Sequence, residues 1–246
     1  MAPGPDGMNA LFYQNFWHVV GNNVVLAVLD FLNNGNMLPD INHTNIVLIP
    51  KVKNPERMSE FRPISLCNVI YKIISKLLAN RLKQVLFQII SPIQSAFVLG
   101  RLITDNVLVA YETLHTMHSR KKGKKGSMAL KLDISKAYDC VEWHFLQRIM
   151  EKLGFPVEWI NRVMSCVTTP SFSILINGKP FGMIHPSRGI RQGDPLSPYL
   201  FLLCAEGFTA LLNKAESEGR IKGISICRGA PKVTNFMFDD DSLLFC

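Results

Sequence analysis

The residues of this sequence best suited to chemistry are its aspartates. Asp239-Asp240-Asp241 fall between two short apolar runs, 232–238 and 242–245. Three adjacent carboxylates repel one another at neutral pH, and a tight turn leaves them little room to separate. A divalent cation offsets that repulsion, since hard cations take carboxylate oxygens. A solvated turn, where Asp is a favoured residue, has the same composition. Asp133 closes a second apolar run, Leu130-Lys131-Leu132, and Asp139 follows after Ser135-Lys136-Ala137-Tyr138. If that run lies beside the aspartate hairpin, Asp133, Asp240 and Asp241 converge and can hold two magnesium ions. Two such metals about 3.5–4 Å apart stabilise both the attacking and the leaving oxygen of phosphoryl transfer. Taken singly, Asp133 also reads as a strand-end cap, and Asp139 as a salt-bridged residue at a helix start.

Groups suited to phosphate lie elsewhere. Arg188-Gly189-Ile190-Arg191-Gln192-Gly193-Asp194-Pro195-Leu196-Ser197-Pro198 combines two glycines, two arginines and a glutamine ahead of a helix. Glycine lets backbone approach a ligand closely, and the donors suit a nucleotide or template strand. A capped loop entering a helix reads the same way. Lys51 and Arg62 are candidate triphosphate ligands, the lysine as a point charge and the arginine by its planar fork. Alone they are ordinary surface cations. His115 and His118 share a helix face but have no Cys or carboxylate beside them, which argues against a metal pair.

The elements that must position these residues follow from periodicity. Two helices are expected within 8–34, with Gly35 as a C-cap. A strand is expected over 44–50, a helix over 67–86 and another over 103–118. A buried strand at 127–134 is followed by helices at 141–153 and 157–167. Asn177-Gly178 marks a hairpin between 171–176 and 179–184. Asp194-Pro195 is placed as the N-cap and first-turn proline of a helix running to about 217. The irregular alternation, ending in a hairpin, implies an α+β fold with an antiparallel sheet.

The 246 residues are 48% apolar, which suffices for a sizeable core and excludes a disordered chain. Net charge is +8. Residues 1–119 carry 9 basic and 7 acidic groups, 120–126 carry 5 and none, and 127–246 carry 13 and 12, so one short loop holds most of the excess. No apolar run is long enough for a membrane span, and the start has no secretory pattern. The six cysteines are scattered, with no C-x-x-C pair, so neither a zinc knuckle nor a disulfide-linked partner is expected.

In order along the chain, several segments resemble the reverse transcriptase of non-LTR (LINE-type) retrotransposons, most closely those of plants. They are Ala2-Pro3-Gly4-Pro5-Asp6-Gly7, Ile46-Val47-Leu48-Ile49-Pro50-Lys51, Phe61-Arg62-Pro63-Ile64-Ser65-Leu66, Gln94-Ser95-Ala96-Phe97, residues 130–139, residues 191–198 and Phe238-Asp239-Asp240-Asp241. The resemblance implies a right-hand polymerase, with fingers over 1–126 and an incomplete palm over 127–246, the thumb missing. It implies an RNA-directed DNA polymerase that uses two Mg2+, an RNA template, a DNA primer and deoxynucleoside triphosphates. Asp133, Asp240 and Asp241 match the catalytic, metal-holding carboxylates. Tyr138 matches the aromatic beneath the incoming sugar, Lys51 and Arg62 match residues near the triphosphate, and Gln192 and Gly193 match the loop beside nucleotide and template. The family's life cycle implies action in the nucleus. Asp239 departs from the small residue usual between the aromatic and the Asp pair, and the chain stops soon after. These departures keep a catalytically inactive remnant that binds nucleic acid open as an alternative. An RNA-templated RNA polymerase is a further alternative, against which Tyr138 argues.

Overall fold

A computed structural model describes residues 2–120, 126–239 and 241–246. Most of the basic run (121–125) and Asp240 lie outside the described residues. The chain runs α1 (Ala10–Asn15), α2 (Trp17–Asn34), α3 (Pro39–Asn42), β1 (Thr44–Pro50), β2 (Phe61–Cys67), α4 (Val69–Ile89), α5 (Ile103–Ser119), β3 (Ala129–Asp133), α6 (Trp143–Lys152), α7 (Val157–Thr168), β4 (Phe172–Ile176), β5 (Lys179–Ile184), α8 (Ser197–Ser217), β6 (Ile224–Ser225), β7 (Lys232–Val233), β8 (Asn235–Phe238) and β9 (Asp241–Phe245). A 3-10 turn spans Ala137–Cys140. No described helix is long and apolar enough to cross a membrane. The chain forms two compact units, one of residues 1–81 and 138–200 and the other of 82–137 and 201–246.

The first unit holds a mixed sheet in the order β2-β1-β4-β5, with β1 antiparallel to β2 and parallel to β4. β4 and β5 form the expected hairpin, whose turn residues Asn177 and Gly178 both have positive φ (50° and 78°), the geometry that two-residue hairpins need. β5 is an edge strand, exposed along its whole length, with Pro180 and a kinked Gly182 (φ 70°) within it. α1 opens on an Asn9 side chain that accepts the Phe12 N–H. α2 ends at Gly35 in the left-handed conformation, its N–H bonded to the Phe31 carbonyl at 2.8 Å. The helices expected over 8–34 are present, but the buried stripe is Gly21, Val24, Val28 and Phe31, while Leu11, Phe16 and Val19 are exposed. α6 buries Leu146 and Met150, one turn apart, and α7 buries Ile160, Val163, Cys166 and Val167, which gives each helix one apolar face.

One expectation is corrected here. The helix expected from Cys67 begins at Val69, because Phe61–Cys67 is a strand paired with β1 from Thr44↔Cys67 to Pro50↔Phe61. Pro63 masks that strand in the sequence; β2 is terminal in the sheet, where a missing N–H is tolerated. Asp194 lies just ahead of α8, as expected of a cap: its Oδ1 accepts the Leu196 N–H at 3.0 Å, and its carboxylate also enters a buried ion pair described below.

The second unit holds an antiparallel sheet in the order β3-β9-β8 and a two-stranded ribbon of β6 and β7. The single run expected over 232–238 is broken at Thr234, whose side chain donates to Glu216 Oε2 at 2.7 Å. The core includes Leu82, Leu86, Ile90, Leu202, Leu203, Met237 and Phe245.

None of the six cysteines forms a disulfide, and burial separates them. Burial pushes the Cys166 and Cys204 thiols up to about 12. Below pH ~9, the ordinary thiol value, folded and unfolded chains bind the same protons at these groups. Above it the unfolded chain releases them while the folded chain keeps them, so stability falls as pH rises from about 9 toward 12. Thermal melts across that window should show the decline, steeper than in Cys166→Ala or Cys204→Ala. Ellman's reagent at pH 8 should label Cys140 and Cys227, both exposed, and spare Cys67 and Cys166 until the chain unfolds.

Candidate active site

In the second unit, β3 and β9 pair in a register that sets Asp133 directly opposite Asp241 and Lys131 opposite Leu243. Directly opposed residues of an antiparallel pair share a face, with Cβ atoms about 4.5–5.5 Å apart. Two strand ends thus bring two carboxylates together across a ladder. Like charges so placed destabilise the pair. Lys131 offsets this: its Nζ lies 3.0 Å from Asp241 Oδ1, with both side chains substantially exposed (70% and 49%). An exposed pair of this kind is worth at most about 1 kcal/mol, so it yields readily to a stronger cation. The opposed carboxylates are hard oxygen donors and fit a divalent ion such as magnesium. Among the described residues, no group of three His, Cys, Asp or Glu side chains gathers at one point; Asp240 is outside them.

β8 and β9 close around Asp239, with Phe238 opposite Asp241. Asp239 has φ 54°, in the left-handed region. Aspartate is one of the few non-glycine residues that visit this region routinely, which accounts locally for a residue the sequence marked as unusual. Its N–H donates to Gln94 Oε1 at 3.3 Å.

The other candidates lie in the first unit. Arg62 pairs with Ile49 across β1 and β2. The Lys51 N–H bonds the Glu60 carbonyl at 2.7 Å and extends that register by one pair, so Lys51 and Arg62 are diagonal neighbours on one face. Both are exposed. The Lys51 ammonium donates to the Ser59 carbonyl at 3.0 Å. The loop carrying Gln192 and Gly193 runs along the outer edge of β2, where the Ser65 N–H donates to the Gln192 carbonyl at 2.9 Å. Gly193 sits at φ 100° against Ser65 and Ile64. At the loop's other end, the Ile190 N–H donates to the Tyr138 carbonyl at 2.9 Å and the Gly189 N–H to the Val141 carbonyl at 2.7 Å. One loop therefore ties the 3-10 turn of Tyr138 to the strand of Arg62. Trp143 clamps this loop by donating its indole N–H to the Gly189 carbonyl at 2.7 Å. Asp139 is exposed in the same 3-10 turn and makes no ion pair among the described residues.

Gly189 admits no side chain. Its φ is 88°, and a Cβ would stand 3.2 Å from the Asp139 carbonyl oxygen and 3.3 Å from that of Tyr138. Gly189→Ala should cost about 2–3 kcal/mol in urea unfolding, combining left-handed strain with backbone crowding.

Sequence reasoning misplaced Arg191, which it offered as a ligand donor. Its guanidinium is buried. It stacks 3.8 Å over the Tyr71 ring, donates to Thr44 Oγ1 at 3.1 Å and to the Cys166 carbonyl at 2.7 Å, and pairs with Asp194 Oδ2 at 3.6 Å. The Tyr71 hydroxyl donates to the same carboxylate oxygen at 2.5 Å, and the Leu196 N–H to Oδ1 at 3.0 Å. Burial holds the Tyr71 phenol well above its ordinary pKa. Around Arg191, burial opposes the charge, but the surrounding tyrosine, cysteines and Asp194 raise its pKa above the usual value. The only hint in the sequence is the Arg-x-x-Asp spacing; nothing there points to Tyr71.

The family model described as "Reverse transcriptase (RNA-dependent DNA polymerase)" matches residues 49–246. The chain is 30% identical over 243 residues to the Transposon TX1 uncharacterized 149 kDa protein of Xenopus laevis, covering 99% of this chain and 18% of that protein. It is 30% identical over 246 residues to the Retrovirus-related Pol polyprotein from type-2 retrotransposable element R2DM of Drosophila melanogaster, covering 99% of this chain and 22% of that protein. It thus spans about a fifth of the length of these curated relatives. Among solved structures, apo telomerase from Candida tropicalis, truncated from its C-terminal domain, superposes with a TM-score of 0.56 at 12% identity, over 93% of this chain and 49% of that one. That likeness is one of fold, and it agrees with an α+β polymerase of the fingers-and-palm kind. The ordered motifs and the matched family model make this chain a member of the reverse transcriptase family, similar over nearly all of its own length to retrotransposon proteins.

Proposed function

We propose that this chain catalyses RNA-templated DNA synthesis, adding deoxynucleotides to a DNA primer 3′-hydroxyl with two magnesium ions. The observation that carries the reading is the register that opposes Asp133 to Asp241. In the proposal Asp133, Asp240 and Asp241 hold the metals. When bound, magnesium neutralises charge on the attacking and leaving oxygens of the transfer. The chain's own residues then bind and orient. Lys51 and Arg62, diagonal neighbours on one strand face, contact the triphosphate, and arginine's fork takes two phosphate oxygens at once. Tyr138 lies against the sugar and excludes a 2′-hydroxyl by its bulk. Gln192 and Gly193 line the nucleotide and template with backbone that Arg191 anchors from beneath. Fingers-like work is assigned to 1–126 and palm work to 127–246. The wording of 61–66 and 191–198 supports a plant LINE-type parent element.

Primer extension on an RNA template tests this. The expected result is incorporation of deoxynucleotides that requires Mg2+, stops with EDTA and disfavours ribonucleotides, with Tyr138→Ala relaxing that last preference about 10-fold or more. Salt-sensitive RNA binding without incorporation would instead identify an inactive nucleic-acid-binding remnant. Equal use of ribonucleotides by the unaltered chain would favour RNA synthesis.

A further inference from the structure

Beyond the carboxylates, the second unit contains a segment that no catalytic role has absorbed. Residues Ile93–Ser95 dock on β8: the Met237 N–H donates to the Ile93 carbonyl at 3.1 Å, and the Ser95 N–H donates to the Met237 carbonyl at 3.3 Å. Gln94 and Met237 form a parallel bridge. The segment is braced from behind. Asn106 of α5 donates from Nδ2 to the Ile93 carbonyl at 2.9 Å and to Ser95 Oγ at 3.1 Å. Arg101 donates to the carbonyls of Ile90 and Gln94, each at 2.8 Å.

Gln94 itself is 2% exposed. Its Oε1 accepts two main-chain N–H groups, that of Ala96 at 3.0 Å and that of Asp239 at 3.3 Å. Two donors converging on one atom assign that atom as the oxygen, which leaves Nε2 on the other side. Nε2 is buried and has no partner among the described residues. A buried donor without an acceptor is costly, and an apolar residue would avoid the cost. The presence of an amide is therefore explained by what its oxygen holds. It ties the Ala96 main chain to that of Asp239, a non-glycine residue in left-handed backbone 145 residues along the chain from Gln94.

We infer that Gln94 is a positioning residue for the Asp239 backbone: its carboxamide oxygen fixes the end of β8 and so the angle at which Asp241 of β9 meets Asp133. This rests on the polymerase reading for its consequence but not for its geometry. The side chain is buried and acts through the Asp239 main chain. It sets where the carboxylates stand before nucleotide or metal arrives.

Three measurements test it. The first is amide hydrogen exchange resolved by residue. In the unaltered chain the Asp239 amide should exchange at least about 10-fold more slowly than an unstructured amide. Gln94→Met, close in volume and without the acceptor, should bring it to within about twofold of the unstructured rate while the β3–β9 ladder amides keep their protection. Gln94→Glu retains an oxygen at the same position and should retain the protection. The second is Mn2+ binding followed by electron paramagnetic resonance, where Gln94→Met should weaken affinity about 5–10-fold. In primer extension the same variant should lose about 10-fold in kcat with the nucleotide KM within twofold. A freely exchanging Asp239 amide in the unaltered chain, or unchanged protection in Gln94→Met, overturns the inference, and the first of these needs no variant to fold. A chain that incorporates nothing while Asp239 protection follows residue 94 overturns the polymerase reading and leaves the positioning role standing.

Discussion

Asp133→Asn should abolish nucleotide incorporation, by about 10³-fold or more, while leaving the chain as stable as before or slightly more so. The first half follows from charge. An amide offers one neutral oxygen where a carboxylate offers two that share a negative charge, and phosphoryl transfer depends mostly on positioning and charge neutralisation. A 10³-fold loss corresponds to about 4 kcal/mol of transition-state stabilisation. The second half follows from the ladder. Asp133 stands directly opposite Asp241, a like-charge juxtaposition that works against the strand pair. Removing one charge relieves it, and the expected gain is a few tenths of a kcal/mol. Asp241→Asn should lose activity equally but gain less in stability, because it also discards the Lys131 ion pair. Primer extension and thermal melting of the two variants check both halves. Activity within 10-fold of the unaltered chain in either variant contradicts the assignment of these carboxylates.

The largest effect on folding should come from Arg191. Arg191→Met leaves the Asp194 carboxylate, whose side chain is only 5% exposed, without a counter-charge. Stranding one member of a buried ion pair costs about 3–5 kcal/mol, a large share of the 5–15 kcal/mol that a domain of this kind has in total. Arg191→Lys should cost less but still measurably. An ammonium cannot stack flat on Tyr71 while reaching both Thr44 Oγ1 and the Cys166 carbonyl. The double change Arg191→Met with Asp194→Leu should recover more than half of the single-variant loss, since two apolar groups strand no charge. Urea unfolding of the three variants gives the comparison, and additive losses would show that the two residues do not act as a pair.

Much of this molecule is readable in its sequence, for identifiable reasons. The hairpin at Asn177-Gly178, the αL cap at Gly35 and the apolar faces of α6 and α7 depend on local chemistry, and local chemistry is what a sequence displays. The pairing of β3 with β9 is not local. It became legible only because the metal role proposed for Asp133 and Asp241 made their proximity worth expecting. What stayed hidden falls into two kinds. β2 was concealed by Pro63, whose meaning changes with position in the sheet. Arg191 and Gln94 were concealed because a polar residue looks the same in sequence whether it faces a ligand or a buried partner. For Arg191 the partners are Tyr71, Thr44, Cys166 and Asp194, drawn from four separate segments. The residues assigned to phosphate and those assigned to metal also differ in kind. Of the former, Arg62 lies in β2 and Lys51 just past the end of β1; of the latter, Asp133 closes β3 and Asp241 opens β9.

The edge strand β5 has a consequence for how this chain behaves at high concentration. Phe181, Met183 and Ile184 are all exposed along it (52%, 62% and 43%), an apolar border with hydrogen-bonding groups turned outward, which is the arrangement that seeds strand-to-strand aggregation. Pro180 deletes one donor from that border, and Gly182, with its left-handed kink, breaks the flat repeat a second molecule would need to match. That margin is thereby a poor template for a second strand.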